Sequence, residues 1–153
     1  DRLVMLMGRH HPLSGTAPSL DDYLAWPHLQ VSGGGDKDSP VEQVLAPLGL
    51  SRRWFARVPF FQAAVEVLLR TDCLMTTPAH IAWQLSREHA LSFCDLPFAT
   101  RVQQYHLLWH QRHHLDPAHR WFRELAYPFL RDHLQFTLGE SRKQLAGGSQ
   151  AGH

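Results

Sequence analysis

Ser51–Pro78, SRRWFARVPFFQAAVEVLLRTDCLMTTP, is the stretch on which the fold turns. Arg53–Val58 is a short β-prone run holding Trp54, Phe55 and Val58, and Pro59 then fixes a backbone angle suited to the first turn of a helix. From Phe60 onward Phe61, Ala64, Val65, Leu68 and Leu69 recur at the three-and-four spacing that puts apolar side chains on one helix face. Cys73–Thr77 gives a second short run, closed by Pro78. The stretch therefore reads as strand, helix, strand with parallel strands. Ligands of such sheets gather at the strands' carboxyl ends, which here carry Pro59, Phe60, Phe61, Gln62, Thr76 and Thr77.

Upstream, Arg2–Met7 is apolar and too short for a capped helix, so it reads as a buried strand, and Gly8–Pro18 as a connector. Ser19 and Asp22 form a capping pair for a short helix ending at Trp26-Pro27; His28–Val31 is a strand; Ser32–Pro40, SGGGDKDSP, is a flexible loop by composition. Ser39 caps the next helix, Val41–Leu48, with Pro40 at its first position and Gly49 closing it. Downstream, Ala79–His89 reads as a helix, Leu91–Pro97 as an extended segment and Val102–His110 as a strand. Asp116-Pro117 opens a helix that Pro128 should kink or interrupt, and from Ser141 the chain turns small and polar. Alternation of this kind predicts an α/β sandwich with helices on both sides of a mostly parallel sheet. The first strand and last helix carry more apolar surface than the middle can bury, so both are expected to serve a second lobe.

Composition narrows the function. Lys and Arg total 15 against 14 acidic residues in 153, so there is no basic field to hold a nucleic-acid backbone unaided. Two cysteines, Cys73 and Cys94, lie in apolar surroundings without metal-ligand spacing and read as reduced, structural thiols of a cytoplasmic protein. No signal peptide is visible, and no apolar run approaches the roughly 20 residues that cross a bilayer. Asp1 stands directly before an apolar run with no initiating methionine, which suggests a segment of a longer chain. A catalytic set is not found: no G-x-S-x-G elbow, no phosphate-binding glycine loop, no C-x-x-C.

Four segments in order resemble the effector-binding half of a LysR-type transcriptional regulator, over Leu3 to about Asp132. RLVMLMGRHHPLSG, with His11, Pro12 and Leu13, is similar to the family's crossover strand and its His-Pro-Leu. SLDDYLAWPHLQVS resembles the helix and strand that follow, and RVPFFQAAVEVLLRTDCLMTTP the strand, helix and turn ending in the family's proline, here Pro78. YHLLWHQRHHLDPAHRWFRELA is similar to the returning strand and C-terminal helix, with Trp109-His110, Asp116-Pro117 and Trp121-Phe122 in register.

The resemblance implies a periplasmic-binding-protein-like fold of two α/β lobes with a small molecule between them. Residues 1–12 would be a crossover strand from the other lobe, 13–100 the effector lobe, 101–139 the return strand and a helix associated with the other lobe, and 140–153 a disordered tail. It further implies a homo-oligomeric regulator that reaches DNA only through an N-terminal winged helix-turn-helix outside this sequence; the helix Val41–Leu48 and its neighbouring strand are a candidate dimer surface, although the apolar face of that helix reads more readily as core. No enzyme activity, cofactor, metal or membrane is implied. A solute-binding protein of the same fold, without a DNA-binding role, is the alternative.

Within that frame Pro59–Gln62, with Thr76 and Thr77, is the expected effector site. A helix start offers unpaired N–H groups to an anion, Phe60 and Phe61 an aromatic wall, and Thr76 and Thr77 hydroxyls. Phe61 reads better as core, Phe60 equally well as core or wall, and the threonines equally well as a turn that satisfies its own backbone. Arg9, His10 and His11, where the crossover becomes loop, could pair with an acidic effector or be solvated. Twelve histidines include His106, His110, His113 and His114; on a strand His106 and His110 would share a face, which is compatible with a metal but reads better as solvated surface.

Overall fold

A computed structural model describes residues 1–32 and 39–148. Its elements are β1 (Leu3–Gly8), α1 (Leu20–Ala25), β2 (His28–Val31), α2 (Pro40–Leu45) running into a 3-10 turn (Ala46–Leu48), β3 (Trp54–Val58), α3 (Phe61–Leu68), β4 (Leu74–Pro78), α4 (Ala79–Glu88), β5 (Leu91–Asp95), a second 3-10 turn (Gln111–His113) and α5 (Pro117–Gly148). The expected caps form. Ser19 accepts from the Asp22 N–H while Asp22 accepts from the Ser19 N–H, Ser39 accepts from the Val41 N–H, and Gly49 closes its turn at φ +70°, a conformation that disfavours a β-carbon. Most of the loop expected over Ser32–Pro40 lies outside the described residues.

The five strands lie in the order β3-β2-β4-β1-β5. β2 runs parallel to β3 and β4, whereas β1 is antiparallel to β4 and β5, so four strands point one way and β1 alone points back. The strand-helix-strand unit of Ser51–Pro78 is present, with β2 inserted between its two strands. α3 and α4 cover one face, where Val4, Leu6, Leu29, Ala64, Val65, Leu68, Met75 and Trp83 are buried. α1 and α2 cover the other, over Met5, Met7, Tyr23, Val41, Leu45 and Leu74. Alternation along β1 and β4 divides the two sets: each strand sends every second side chain to each core.

Three expectations need correction. Residues 1–12 do not stand apart from the lobe, because β1 is an inner strand, paired on both sides and fully buried from Val4 to Met7. Val102–His110 is irregular and mostly exposed: among the described residues it has no neighbouring strand, and one reciprocal backbone pair ties it to the start of the chain, Asp1 N–H to Gln103 O at 2.9 Å and Gln103 N–H to Asp1 O at 2.8 Å. A β-prone run without a partner has nothing to satisfy its N–H and C=O groups as a ladder would. Third, the tail expected from residue 140 is helical to Gly148, since α5 continues through Pro128 and seats Leu145 against the α3/α4 core; residues 149–153 lie outside the described set.

Candidate functional site

Because β1 runs against its neighbours, one edge of the sheet collects the carboxyl ends of β2, β3, β4 and β5 together with the start of β1. By register Val4 stands beside Thr77 and Asp95, and Val31 beside Val58. This rim carries most of the expected site. Pro59 and Gln62 are exposed on it, and Phe60, the N-cap residue of α3, is 69% exposed with an extended backbone. No side chain caps α3, so its first-turn N–H groups open onto the rim. Phe61 resolves as a core contributor, half-buried against the α3/α4 cluster.

The two threonines separate. Thr76 pairs with Met5 and turns toward α1, where its Oγ1 lies 2.8 Å from the Tyr23 Oη. Thr77 pairs with Val4 and turns to the α3 side; it is 2% exposed, and its Oγ1 has no hydrogen-bond partner. Phe60, Phe61 and Thr77 therefore belong to one side of the sheet and Thr76 to the other. An unpartnered buried hydroxyl is a costly arrangement, and at the rim it is a group that a ligand could satisfy.

Behind Thr76 stands a network that the spacing of the sequence did not signal. Arg52, 8% exposed, donates from Nη2 to Glu42 Oε1 and Oε2 at 2.6 and 2.7 Å, reaches the Tyr23 Oη at 3.4 Å and lies over the Trp54 ring at 4.3 Å. Burial opposes the Glu42 carboxylate, but hydrogen bonds from Ser39 and Arg52 outweigh it and hold its pKa below the ordinary value. Burial raises the Tyr23 phenol. His28 is wholly buried against the Tyr23 ring, its Nε2 2.8 Å from the Tyr23 carbonyl, and burial lowers its pKa to about 4. Neutral His28 thus donates to that carbonyl and fixes the stem of the tyrosine that holds Thr76.

At the rim's other end His80, in the first turn of α4, meets the Asp1 carboxylate through Nδ1, and the Tyr105 Oη approaches the same carboxylate at 3.5 Å. Burial lowers the His80 pKa below its ordinary value. Arg2 pairs with Asp95 at 3.2 Å. A cavity of about 400 Å³ opens here among Asp1, Arg2, Ala79, Val102, Leu138, Ser141 and Arg142. A larger hollow, about 610 Å³, lies between Tyr105–Trp109 and the α5 residues Arg123, Glu124, Tyr127 and Pro128. Its walls are an unpaired segment and an uncovered helix face, so the rim, where strand ends and a helix start converge, is the better candidate.

Two alternatives open in the sequence, an effector contact at Arg9–His11 and a metal at His106 and His110, find no support, since Arg9, His10, His106 and His110 are exposed as the solvated readings expect, while His11 is buried. Arg9, His10 and His11 follow the carboxyl end of β1 and so lie at the edge opposite the rim. There His10 faces Asp72 at 3.6 Å, and His11 is buried edge-on to Trp26 with its centroid 4.6 Å away. His106 and His110 share no strand face. His113 instead stacks on His119 at 5.1 Å, Arg123 binds the His113 and His114 carbonyls, and among the described residues no three His, Cys, Asp or Glu side chains meet as a metal would need.

A doubly covered mixed sheet with its candidate site at the strand ends defines an α/β ligand-binding lobe. The family of the LysR substrate binding domain matches residues 1–131, and the chain belongs to it. Its fold is that of a periplasmic-binding-protein-like lobe. Over 129 residues it is 27% identical to the HTH-type transcriptional activator NahR of Pseudomonas putida, covering 84% of this chain and 43% of that protein. Among solved structures it is similar to a transcriptional regulator from Vibrio parahaemolyticus (TM-score 0.73, 28% identity, 92% of this chain and 63% of that one). It is also similar to the regulatory domain of MexT of Pseudomonas aeruginosa (TM-score 0.68, 31% identity, 81% and 61%). The chain spans less than half the length of the curated relatives it matches. Among the described residues no helix is long and apolar enough to cross a membrane.

Proposed function

We propose that this chain is the effector-sensing lobe of a cytoplasmic LysR-type transcriptional regulator, which works as a homo-oligomer and reaches DNA through a winged helix-turn-helix outside the sequence described. A small molecule binds between the rim and a second lobe. Pro59, Phe60 and Gln62 form the near wall, the uncapped start of α3 receives an anionic group, Thr77 Oγ1 supplies a hydroxyl, and Thr76 is held from behind by Tyr23. Phe61 supports Phe60 from the core. Binding changes the angle between lobes only through the ligand's differential affinity for the two arrangements. No metal, cofactor or catalytic step enters this mechanism.

The observation that carries the reading is the convergence at one edge of an exposed aromatic, an uncapped helix start and a buried hydroxyl without a partner. The exposed apolar first half of α5 (Trp121, Phe122, Leu125, Phe129 and Leu130) supports a second lobe as its cover. The test is a thermal-shift screen of the complete two-lobed regulatory domain against aromatic and aliphatic carboxylic acids, benzoate and succinate among them. A ligand held at 100 times its Kd stabilises by about 2.7 kcal/mol. Phe60→Ala should weaken a ring-bearing hit by about tenfold, on the order of one buried aromatic contact. Unchanged affinity in Phe60→Ala and in Thr77→Val together would remove the rim as the site.

A further inference from the structure

The family match stops at residue 131, whereas α5 runs on to Gly148, and it is this second half that grips the lobe. Gln84 of α4 meets His133, their side-chain nitrogens 3.1 Å apart. Phe136 sets its ring edge-on to Trp83 at a centroid distance of 5.9 Å, Thr137 and Ser141 are each 1% exposed, and Leu145 packs on the α3/α4 core. The same helix has an opposite character before residue 131, where Trp121, Phe122, Leu125, Phe129 and Leu130 are all exposed. Pro128 stands close to the junction of the two halves and has no N–H to give to the Glu124 carbonyl, so the helix is weakest where its docked and undocked parts meet.

We propose that residues 132–148 are an intramolecular strap that fixes the lobe's angle to the first half of α5, and through it to whatever covers that apolar face. The strap leaves the lobe two ways to rotate. It can bend α5 at Pro128, or it can peel the second half off α4. Leu134, Leu138, Ser141 and Leu145, spaced at four, three and four residues, are the seam by which the strap holds. The inference deepens the effector-sensing reading, since it supplies the element against which lobe rotation would work; its docking geometry does not depend on any ligand.

The experiment uses this chain with spin labels at Ser51→Cys and Ala118→Cys in a Cys73→Ala, Cys94→Ala background, read by pulsed electron-electron distance measurement. The unmodified strap should give one narrow distance distribution. Leu145→Asp, and separately a chain ended after Arg131, should each broaden it about twofold or more as α5 swings free, while Leu125→Asp on the undocked half leaves the width unchanged. Where Leu145→Asp loses its cooperative melt, the shortened chain decides. A broad distribution in the unmodified chain, or a width indifferent to both releases, overturns the strap. No ligand is present, so a failed effector screen and a failed strap are separate results. In the parent protein the release should shift the ligand-free promoter occupancy toward the ligand-bound value.

Discussion

His28 gives the sharpest prediction. It is wholly buried at the start of β2, its Nε2 bonded to the Tyr23 carbonyl at 2.8 Å and its Nδ1 without a partner, and burial takes its pKa from 6.5 to about 4. The folded protein therefore keeps the ring neutral, whereas the unfolded chain binds a proton once the pH falls below about 6.5. Unfolding takes up that proton, so His28's contribution is fully present above pH 6.5, declines as the pH falls and levels off below about 4. At about 1.4 kcal/mol per decade of proton affinity the full loss is roughly 3 kcal/mol, of which about 2 has gone by pH 5. Burial depresses His11 and His80 in the same sense. Asp22 and Glu42 have lowered pKa values, so their contributions are present above the ordinary carboxylate range and are lost only as the pH falls through and below it. Urea unfolding of the chain and of His28→Gln at pH 7, 6 and 5 isolates the term. Glutamine can still donate to the Tyr23 carbonyl, so at pH 7 the variant should be within about 1–2 kcal/mol of the parent, and between pH 7 and 5 it should lose about 2 kcal/mol less. Parallel pH profiles for the two proteins would refute the reasoning.

Two further predictions follow the same buried chemistry. Arg52→Ala removes a guanidinium whose side chain is 4% exposed and strands Glu42, whose own side chain is 37% exposed; the half-open carboxylate tempers the penalty to about 2–4 kcal/mol in urea unfolding, and Glu42→Gln should cost less because Arg52 keeps a neutral acceptor. Cys94 has its thiol pKa raised to about 12 by burial and the nearby Asp95, and Cys73 is buried, so a thiol reagent at pH 8 should label neither in the folded chain and both in denaturant. Rapid labelling of the folded protein would show that β5 or β4 opens locally.

The local half of this fold was readable because its signals are local. Caps at Ser19, Ser39 and Asp116, the apolar face of α3 and the short strands around it each depend on residues within one or two turns, and each formed. Val102–His110 was misread because strand formation depends on a neighbour, and composition does not say whether a neighbour exists. The small, polar end of the chain hid a real helical seam: Leu134, Leu138, Ser141 and Leu145 keep the period that Gly147 and Gly148 distract from. Pro59, Phe60 and Gln62 were placed on the rim correctly, since a strand followed by a proline and a helix puts its turn there whatever the rest of the chain does. The opposed faces of Thr76 and Thr77 follow from the two-residue period of any strand. That Arg9–His11 stand at the edge opposite the rim is not legible in the sequence, because the direction of β1 relative to its neighbours leaves no mark in its own six residues. Arg52 and Glu42, ten positions apart with a turn between them, meet only after α2 and β3 have docked.

The reversed strand also sets what lies beside the candidate site. With β1 antiparallel, the segment that enters the sheet and the one that leaves it after β5 both pass over the edge where the other strands end, and they are tied there by the Asp1–Gln103 backbone pair and by the Ala79 N–H to the Arg2 carbonyl at 2.9 Å. Had β1 been parallel, its entry would lie at the Arg9–His11 edge, and a body joined through it would sit on the far side of the sheet from Phe60 and Thr77. The antiparallel insertion brings Asp1 and the segment after β5 to the rim, so the second lobe proposed above, joined through them, would face the uncapped start of α3. One strand direction therefore sets both where a ligand would bind and which surface would close over it.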